Sequence, residues 1–400
     1  MPDRSGWIDI LRGLSILAVV LMHINIRIPF GKSALGTQLA PGLKRAFFNN
    51  GYYGVKVFFV ISGFLITTNI LRRWGALGSV DVKAFYKLRF ARIAPCLLVL
   101  LAVLSVMHSA GAKGYVIDPD KATLLQALFA ALTFHLNVLE IRVGYLPACW
   151  DVLWSLSIEE VFYLGYPLLC RFAPDRRLLV LVAAGLILAG PFARTTWAGG
   201  NEFAEDKGYF TGFDCIAMGC VAGWVSRTRL LGTAPRKALW WAGVLMMIQI
   251  AVYPIVRVQF WRYGVDVTIL ALGTALCLMA LQTGEGSGTR WNPVAWLGRS
   301  SYEIYLTHGF VMILGAQAFA GLGSNINSAP LWHVAMVCVS ACLGWLIARY
   351  YSEPLNRWLR GIGYRKQLVD SVRGKYRHVP TSSESFLSRR REETDRGEPL

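Results

Sequence analysis

Eleven apolar segments, each near the length of a membrane-crossing helix, constrain the fold of this chain most strongly. They lie at about 10–28, 52–71, 93–110, 123–139, 152–170, 178–193, 210–226, 238–256, 263–282, 301–320 and 331–350. A helix needs about 20 mostly apolar residues to cross the hydrocarbon core. Backbone groups in lipid must also satisfy their own hydrogen bonds, which helices do. The pattern predicts an all-α fold, a polytopic membrane helix bundle.

Basic stretches predict the orientation of this bundle. Lysine and arginine are enriched in cytoplasmic loops of membrane proteins. The basic stretches are the loop 72–92, the turns 171–177 and 227–237, and the tail from Arg357 onward. We therefore expect all four to lie on the cytoplasmic side of the inner (plasma) membrane, with both termini cytoplasmic.

The loop 72–92 and the first basic turn cannot share one side if every segment crosses, because three apolar segments separate them. One of the segments 123–139 and 152–170 is therefore expected not to cross fully. The second contains Glu159 and Glu160, which makes a partly inserted or broken element plausible there. We predict about ten transmembrane helices.

Composition agrees with a membrane protein, since 54% of the residues are hydrophobic and only 16% are charged. The formal net charge of +17 is assigned to cytoplasmic loops, and no nucleic acid partner is expected. We predict an integral membrane domain over 1–358 and a basic, disordered cytoplasmic tail over 359–400. The eight cysteines form no CxxC pair and have no zinc-site spacing, so we expect free, packed thiols and no metal.

The first apolar segment carries two ionisable side chains, Arg12 and His23. They are eleven residues apart, close to three helical turns, so they share one face about 16 Å apart along the axis. Ionisable residues inside a membrane are costly and usually functional. Histidine takes up a proton near neutral pH, which suits a general base. The alternatives are that Arg12 reaches the lipid head groups and that His23 bonds a backbone carbonyl.

Two further segments contain polar side chains among apolar residues. In VFFVISGFLI, Ser62 is either a nucleophile or, as we favour, a packing residue that bonds its own helix. In WDVLWSLSIEEVFYLGYP, Ser155, Glu159 and Tyr163 share one helical face. We expect Glu159 to pair with an arginine, whereas Glu160 could face a loop or solvent.

The segment GRSSYEIYLTHGF is a second concentration of polar groups. Ser301, Tyr305 and His308 are spaced i, i+4, i+7 on one face, and Glu303 lies off that face. His308 fits a satisfied core histidine and a ligand-contacting one equally well. In YYSEPLN, Glu353 ends the last span and is a possible partner for a basic loop.

The basic loop after the second apolar segment has two interpretations. Its positive side chains are Arg72, Arg73, Lys83, Lys87, Arg89 and Arg92. They can act as an orientation signal that also attracts anionic lipid. They can equally form an anion cradle for a phosphorylated donor, because arginine matches phosphate geometry.

These motifs, in this order, resemble the acyltransferase 3 family of integral membrane proteins. The first is IDILRGLSILAVVLMH, which supplies Asp9, Arg12 and His23, and it is followed by FFVISGFLI and FYKLRFARIAP. The later ones are WSLSIEEVFYL, SSYEIYLTHGF and YSEP. The resemblance covers about residues 7–358, and six motifs in sequence make it specific.

The resemblance implies transfer of an acyl group, most often acetyl, from acyl-CoA to a hydroxyl of a surface carbohydrate or glycolipid. It assigns essential roles to Arg12 and His23, and it implies no tightly bound cofactor. Membrane lipids, acyl-CoA and the acceptor are the expected partners. Alternatives are acylation of a secreted small molecule such as a macrolide sugar, and a transporter or flippase for a lipid-linked sugar. A receptor or scaffold with charged packing residues is a third reading.

Overall fold

The computed structural model describes residues 6–173, 175–228, 232–253, 260, 262–281 and 292–361. These residues are mostly helical, and no strand occurs among them. The helices in chain order are α1 (Gly6–Arg27), α2 (Ala34–Gln38), α3 (Pro41–Phe48), α4 (Gly51–Trp74), α5 (Val82–Ser109), α6 (Leu124–Leu132), α7 (Leu136–Val143), α8 (Ala148–Asp151), α9 (Leu153–Phe172), α10 (Arg176–Phe192), α11 (Glu202–Lys207), α12 (Phe210–Thr228), α13 (Thr233–Val252), α14 (Asp266–Ala280), α15 (Pro293–Arg299), α16 (Ser301–Gly321) and α17 (Ala329–Ile347). Short 3₁₀ segments lie at Phe30–Lys32, Leu77–Ser79 and Ile326–Ser328, and π-helical turns at Ala193–Trp197 and Ala348–Ser352.

Six helical stretches of the described chain are long and apolar enough to cross a membrane. They are Gly6–Arg27, Gly51–Trp74, Val82–Ser109, Arg176–Trp197, Ser301–Gly321 and Ile326–Gly361. The chain is therefore an all-α, multi-pass membrane protein. Crossing by the remaining long helices α9, α12, α13 and α14 stays a prediction.

One of the segments 123–139 and 152–170 was expected not to cross fully. The structure interrupts the first of them. Within 123–139, α6 ends at Leu132 and α7 starts at Leu136, and Phe134 between them has φ of 58°. The Tyr209 hydroxyl donates to the Phe134 carbonyl at 2.7 Å, which holds this bend. By contrast, α9 is continuous from Leu153 to Phe172, so the break that its two glutamates suggested is not found there. Charge pairing, described below, allows α9 to keep its two glutamates.

Glycines fix two close helix contacts that place the polar residues. A side chain on Gly13 of α1 would overlap the Val294 carbonyl of α15. A side chain on Gly63 of α4 would overlap the Ile216 carbonyl of α12, where Gly219 makes the reciprocal approach. Small residues thus allow backbone-to-backbone packing, as in other membrane helices. Arg12 and Ser62 each lie beside one of these contacts.

Helices α1, α5 and α16 run in the same direction. The Tyr302 hydroxyl bonds the Ile93 carbonyl near one end, and the Gln317 amide bonds the Lys113 carbonyl near the other. Helix α4 runs opposite to α1, since Gly51 packs on Met22. The starts of α1, α5 and α16 and the finish of α4 therefore lie together, and we call this the basic end.

The last described helical stretch continues to Gly361. Residues 359–361, which were predicted to belong to the disordered tail, are therefore helical. The rest of the predicted tail, 362–400, lies outside the described residues. All eight cysteines are free thiols, six of them buried and two exposed.

Candidate active site

Two histidines from different helices meet inside the bundle. His23 Nδ1 of α1 lies 3.3 Å from His308 Nε2 of α16, and the ring centroids are 5.1 Å apart. His308 is 1% exposed, whereas His23 is half-buried. Sequence spacing placed each histidine on a polar face, and the parallel course of the two helices brings the faces together.

Backbone carbonyls determine which ring nitrogens carry protons. His308 Nδ1 lies 2.7 Å from the Tyr305 carbonyl, and His23 Nδ1 lies 3.0 Å from the Val19 carbonyl. A carbonyl only accepts, so both Nδ1 atoms are donors. The one proton on His23 Nδ1 is then shared between the Val19 carbonyl and His308 Nε2, which lies farther away at 3.3 Å. His23 Nε2 keeps its lone pair and has no hydrogen-bond partner in the described part of the chain. His23 Nε2 can therefore accept a proton, and the contacts of Nδ1 with Val19 and His308 hold the ring in place.

Two hydroxyls flank the histidine pair. Tyr305 Oη lies 2.7 Å from Ser155 Oγ and donates to the Val152 carbonyl at 3.1 Å. The Tyr305 ring centroid is 5.8 Å from that of His308. Of the predicted face on α16, Tyr305 and His308 thus reach the site. The Ser301 hydroxyl is buried and finds no partner among the described residues.

A charged network couples α4, α5 and α9. The Ser62 hydroxyl donates to Glu159, and Tyr163 donates to the same carboxylate at 3.2 Å. Arg89 lies 2.8 Å from Glu160 and 3.8 Å from Glu159, with its guanidinium over the Tyr163 ring. Two expectations were wrong. Ser62 bonds a neighbouring helix, and Glu160 is buried in an ion pair rather than facing solvent, because α5 brings a cation against it.

The predicted donor-binding residues do not form one cluster. Arg72, Arg73 and Lys87 are exposed, and Arg72 donates to Asn69 at 2.6 Å. Arg89 is held by the glutamates of α9. Half-buried Arg92 lies within electrostatic range of Arg360, which also faces Arg73. Sequence reasoning missed Arg360, because its distance along the chain from the basic loop hides their proximity in space.

The other basic-end residues divide between buried and exposed positions. Glu303 is 6% exposed and lies within electrostatic range of Arg92 and Arg12, although its position off the polar face gave no hint of this. Asp9 is buried beside them on α1. Glu353 is exposed, and no described ion pair joins its carboxylate to the basic loop. The possible pairing with the basic loop is therefore not made among the described residues, since the Glu353 side chain is exposed.

A buried ion cluster near the histidines was also missed. Lys207 Nζ lies 2.7 Å from Glu140 Oε2 and 2.5 Å from Asp151 Oδ1. Asp151 ends α8, and its neighbour Cys149 packs on Gly309, next to His308. Burial, followed by repulsion from Asp151, raises the pKa of Glu140 well above its usual value, although Lys207 opposes this. One buried cation thus serves two carboxylates, and Lys207 is what favours the ionised form of Glu140.

Comparison with known proteins identifies the family. The family model described as an acyltransferase domain matches residues 5–350. The peptidoglycan O-acetyltransferase OatA of Listeria monocytogenes is 24% identical over 88% of this chain and 55% of its own length. O-acetyltransferase OatA of Staphylococcus aureus is 23% identical over 89% and 58%. The putative peptidoglycan O-acetyltransferase YrhL of Bacillus subtilis is 24% identical over 90% and 55%.

The chain thus spans about half the length of these curated relatives. No solved structure matches it. The family match covers the histidine pair, the charged network and the ion cluster. The chain belongs to the acyltransferase 3 family of membrane acyltransferases.

Proposed function

We propose that this protein is a membrane-bound O-acetyltransferase that moves an acetyl group from acetyl-CoA to a hydroxyl of a cell-surface carbohydrate or glycolipid. The observation that carries the proposal is the pair of contacts that His23 Nδ1 makes with the Val19 carbonyl and with His308 Nε2, because they leave His23 Nε2 available as a base. The names of the relatives support acetyl as the group and a peptidoglycan-type saccharide as the acceptor class.

In the proposed reaction, His23 Nε2 removes the proton of the acceptor hydroxyl. The oxygen attacks the thioester carbonyl, the carbon–sulfur bond breaks, and the thiolate of CoA takes the proton back from His23. His308 Nε2 accepts from His23 Nδ1–H and stabilises the imidazolium that forms. The hydroxyls of Tyr305 and Ser155 are proposed to donate to the oxyanion, for which they would turn from the Val152 carbonyl that they bond here. An acyl-enzyme route is the alternative, and no residue is assigned to it.

The donor's phosphates are proposed to bind at the basic end. Arg12, Arg92, Arg73 and Arg360 gather there, and exposed Arg72 and Lys87 extend the positive surface. The pantetheine arm would run along α1 for the distance of about 16 Å that separates Arg12 from His23. Arg89 would act indirectly, by fixing α9 and with it Ser155.

The proposed topology has ten crossings with both termini cytoplasmic in the plasma membrane. Ten long helices in the described chain are compatible with this count. The basic end would then face the cytoplasm, in agreement with the positive-inside tendency. This is also the compartment that supplies acyl-CoA.

The test is transfer by purified protein from acetyl-CoA to a panel of saccharides and one macrolide. Thiol release and the mass gain of the acceptor are both measured. Acceptor-dependent release with an acetylated saccharide supports the proposal, and acetylation of the macrolide alone would favour the small-molecule alternative. If the protein in vesicles moves a lipid-linked sugar across the membrane and cleaves no thioester, the proposal is wrong and the protein is a transporter. A His135→Gln variant, altered in a histidine outside the site, should retain activity.

A further inference from the structure

A polar cavity lies at the end of the bundle opposite the basic end, where α4 and α14 begin. Its volume is about 300 Å³. The lining side chains are Tyr52, Tyr53, Arg194, Glu202, Glu205, Asp206, Asp266 and Val267, together with the backbone of Gly264. This volume is at the lower end of the range for small-molecule sites, so it suits one sugar ring rather than a long chain.

The walls of the cavity carry excess negative charge. Four of its side chains are carboxylates, and one is an arginine. The Arg194 guanidinium is already engaged, since it lies 2.8 Å from Asp214 and donates to the Gly264 carbonyl at 2.7 Å. Burial, followed by repulsion from Asp206, raises the pKa of Glu205. Carboxylates crowded in this way repel an anionic ligand and favour hydrogen-bond donors.

One of these carboxylates has an unused acceptor atom. Asp266 is 1% exposed, and its Oδ2 accepts from the Tyr53 hydroxyl at 2.5 Å. Its Oδ1 is buried and finds no hydrogen-bond partner in the described ranges. Buried polar atoms are rarely left without a partner. Asp266 thus keeps one unsatisfied acceptor in the wall of the cavity.

The cavity adjoins the proposed active site through two consecutive residues. Asp206 lines the cavity, and its carbonyl accepts from Lys56 at 3.1 Å. The next residue, Lys207, pairs with Asp151, whose neighbour Val152 accepts from Tyr305. Adjacent residues of α11 thus contribute to the cavity wall and to the ion cluster near the histidine pair.

We propose that this cavity is a subsite for a sugar ring of the acceptor and that it selects rings without an acidic group. The proposal rests on the proposed function. The carboxylates accept from ring hydroxyls or an amine, and the two tyrosines cover the apolar ring face. A divalent cation is a weaker fit, because the described residues contain no group of three or more side chains that could hold a metal.

The test measures sugar binding by the purified full-length protein without any acyl donor. Three probes of equal size are compared by saturation-transfer NMR, namely methyl glucoside, methyl glucosaminide and methyl glucuronide. The glucuronide should bind at least about tenfold more weakly than the other two, the effect of about 1.4 kcal/mol of repulsion. Equal binding of all three, or no binding of the first two, would overturn the proposal.

Two variants test whether the preference for glucoside over glucuronide comes from the carboxylates of the cavity. Glu205→Gln should narrow the gap between glucoside and glucuronide several-fold, since it removes one repelling charge. Asp120→Asn removes an equal charge from an exposed loop and should leave the ratio unchanged. The proposal fails if both variants give the same ratio. Sugar binding that responds to Glu205 without any thioester cleavage would refute the enzymatic function and retain the sugar site.

Discussion

Replacement of Lys207 by methionine tests the buried ion cluster beside the active site. Lys207 is 3% exposed and contacts two carboxylates, of which Glu140 is fully buried. The variant keeps an unbranched side chain that is shorter by the terminal ammonium group, so both carboxylates lose their cation. Breaking a buried ion pair from one side typically destabilises a fold by about 3–5 kcal/mol. We expect a loss in this range, and a midpoint of thermal unfolding lower by roughly 5–15 °C.

The loss should depend on pH in a defined direction. The pKa of Glu140 is already raised from 4.5 by burial and then by Asp151, and Lys207 is what opposes the rise. Without Lys207 the pKa rises further, so the folded variant binds more protons above pH 4.5 than the unfolded chain does. The free energy of unfolding then falls as pH rises. The penalty should therefore be larger at about pH 8 than at about pH 5.

The assay follows the reaction of buried thiols with a maleimide dye during heating, because six of the eight free cysteines are buried. Lys113→Met, on an exposed loop, is the matched control and should behave like the wild type. Adding Glu140→Gln to the Lys207 variant should restore more than half of the loss. A wild-type midpoint for Lys207→Met, or a penalty that shrinks as pH rises, would refute this reasoning.

Three further predictions test packing, catalysis and the charged network. Gly63→Val should lower the free energy of unfolding by about 1–3 kcal/mol, because the new side chain overlaps a facing carbonyl. The control Gly165→Ala adds a side chain in open space and should not lower it. Equal thermal midpoints for the two variants would contradict the contact at Gly63. His308→Ala should lower kcat about 100-fold with little change in KM, and an unchanged kcat would exclude its support of the base. Glu160→Gln should cost about 1–3 kcal/mol by weakening the hold on Arg89, and a wild-type midpoint would argue against that pairing.

The sequence predicted the fold class because membrane helices can be recognised from their own residues. Runs of about 20 apolar residues give their positions without knowledge of neighbours. The sequence left open which of two segments is interrupted, since the two adjacent glutamates of the second suggested a break there while the bend at Phe134 carries no sequence signal of its own. Glu160 is tolerated because Arg89 lies against it, and that contact joins residues 71 positions apart.

The sequence predicted which residues of the candidate site share a helical face. It did not predict which faces of different helices come into contact. Helical spacing placed Arg12 with His23, and Tyr305 with His308, on shared faces. The contact between the histidines depends on the relative depth of α1 and α16. Gly13 and Gly298 pack α1 closely on α15, the short helix directly before α16. Sequence reasoning missed the cluster around Lys207, because its partners Asp151 and Glu140 lie on two other helices, 56 and 67 residues away.

The most direct test of the central claim measures CoA release from acetyl-CoA by purified protein with a saccharide acceptor, for the wild type and His23→Ala. His135→Gln serves as the histidine control. We predict release that depends on the acceptor in the wild type and in the control, and that falls at least about 100-fold in His23→Ala while its thermal midpoint stays near the wild type. Equal release by wild type and His23→Ala would contradict the assignment of His23 as the base.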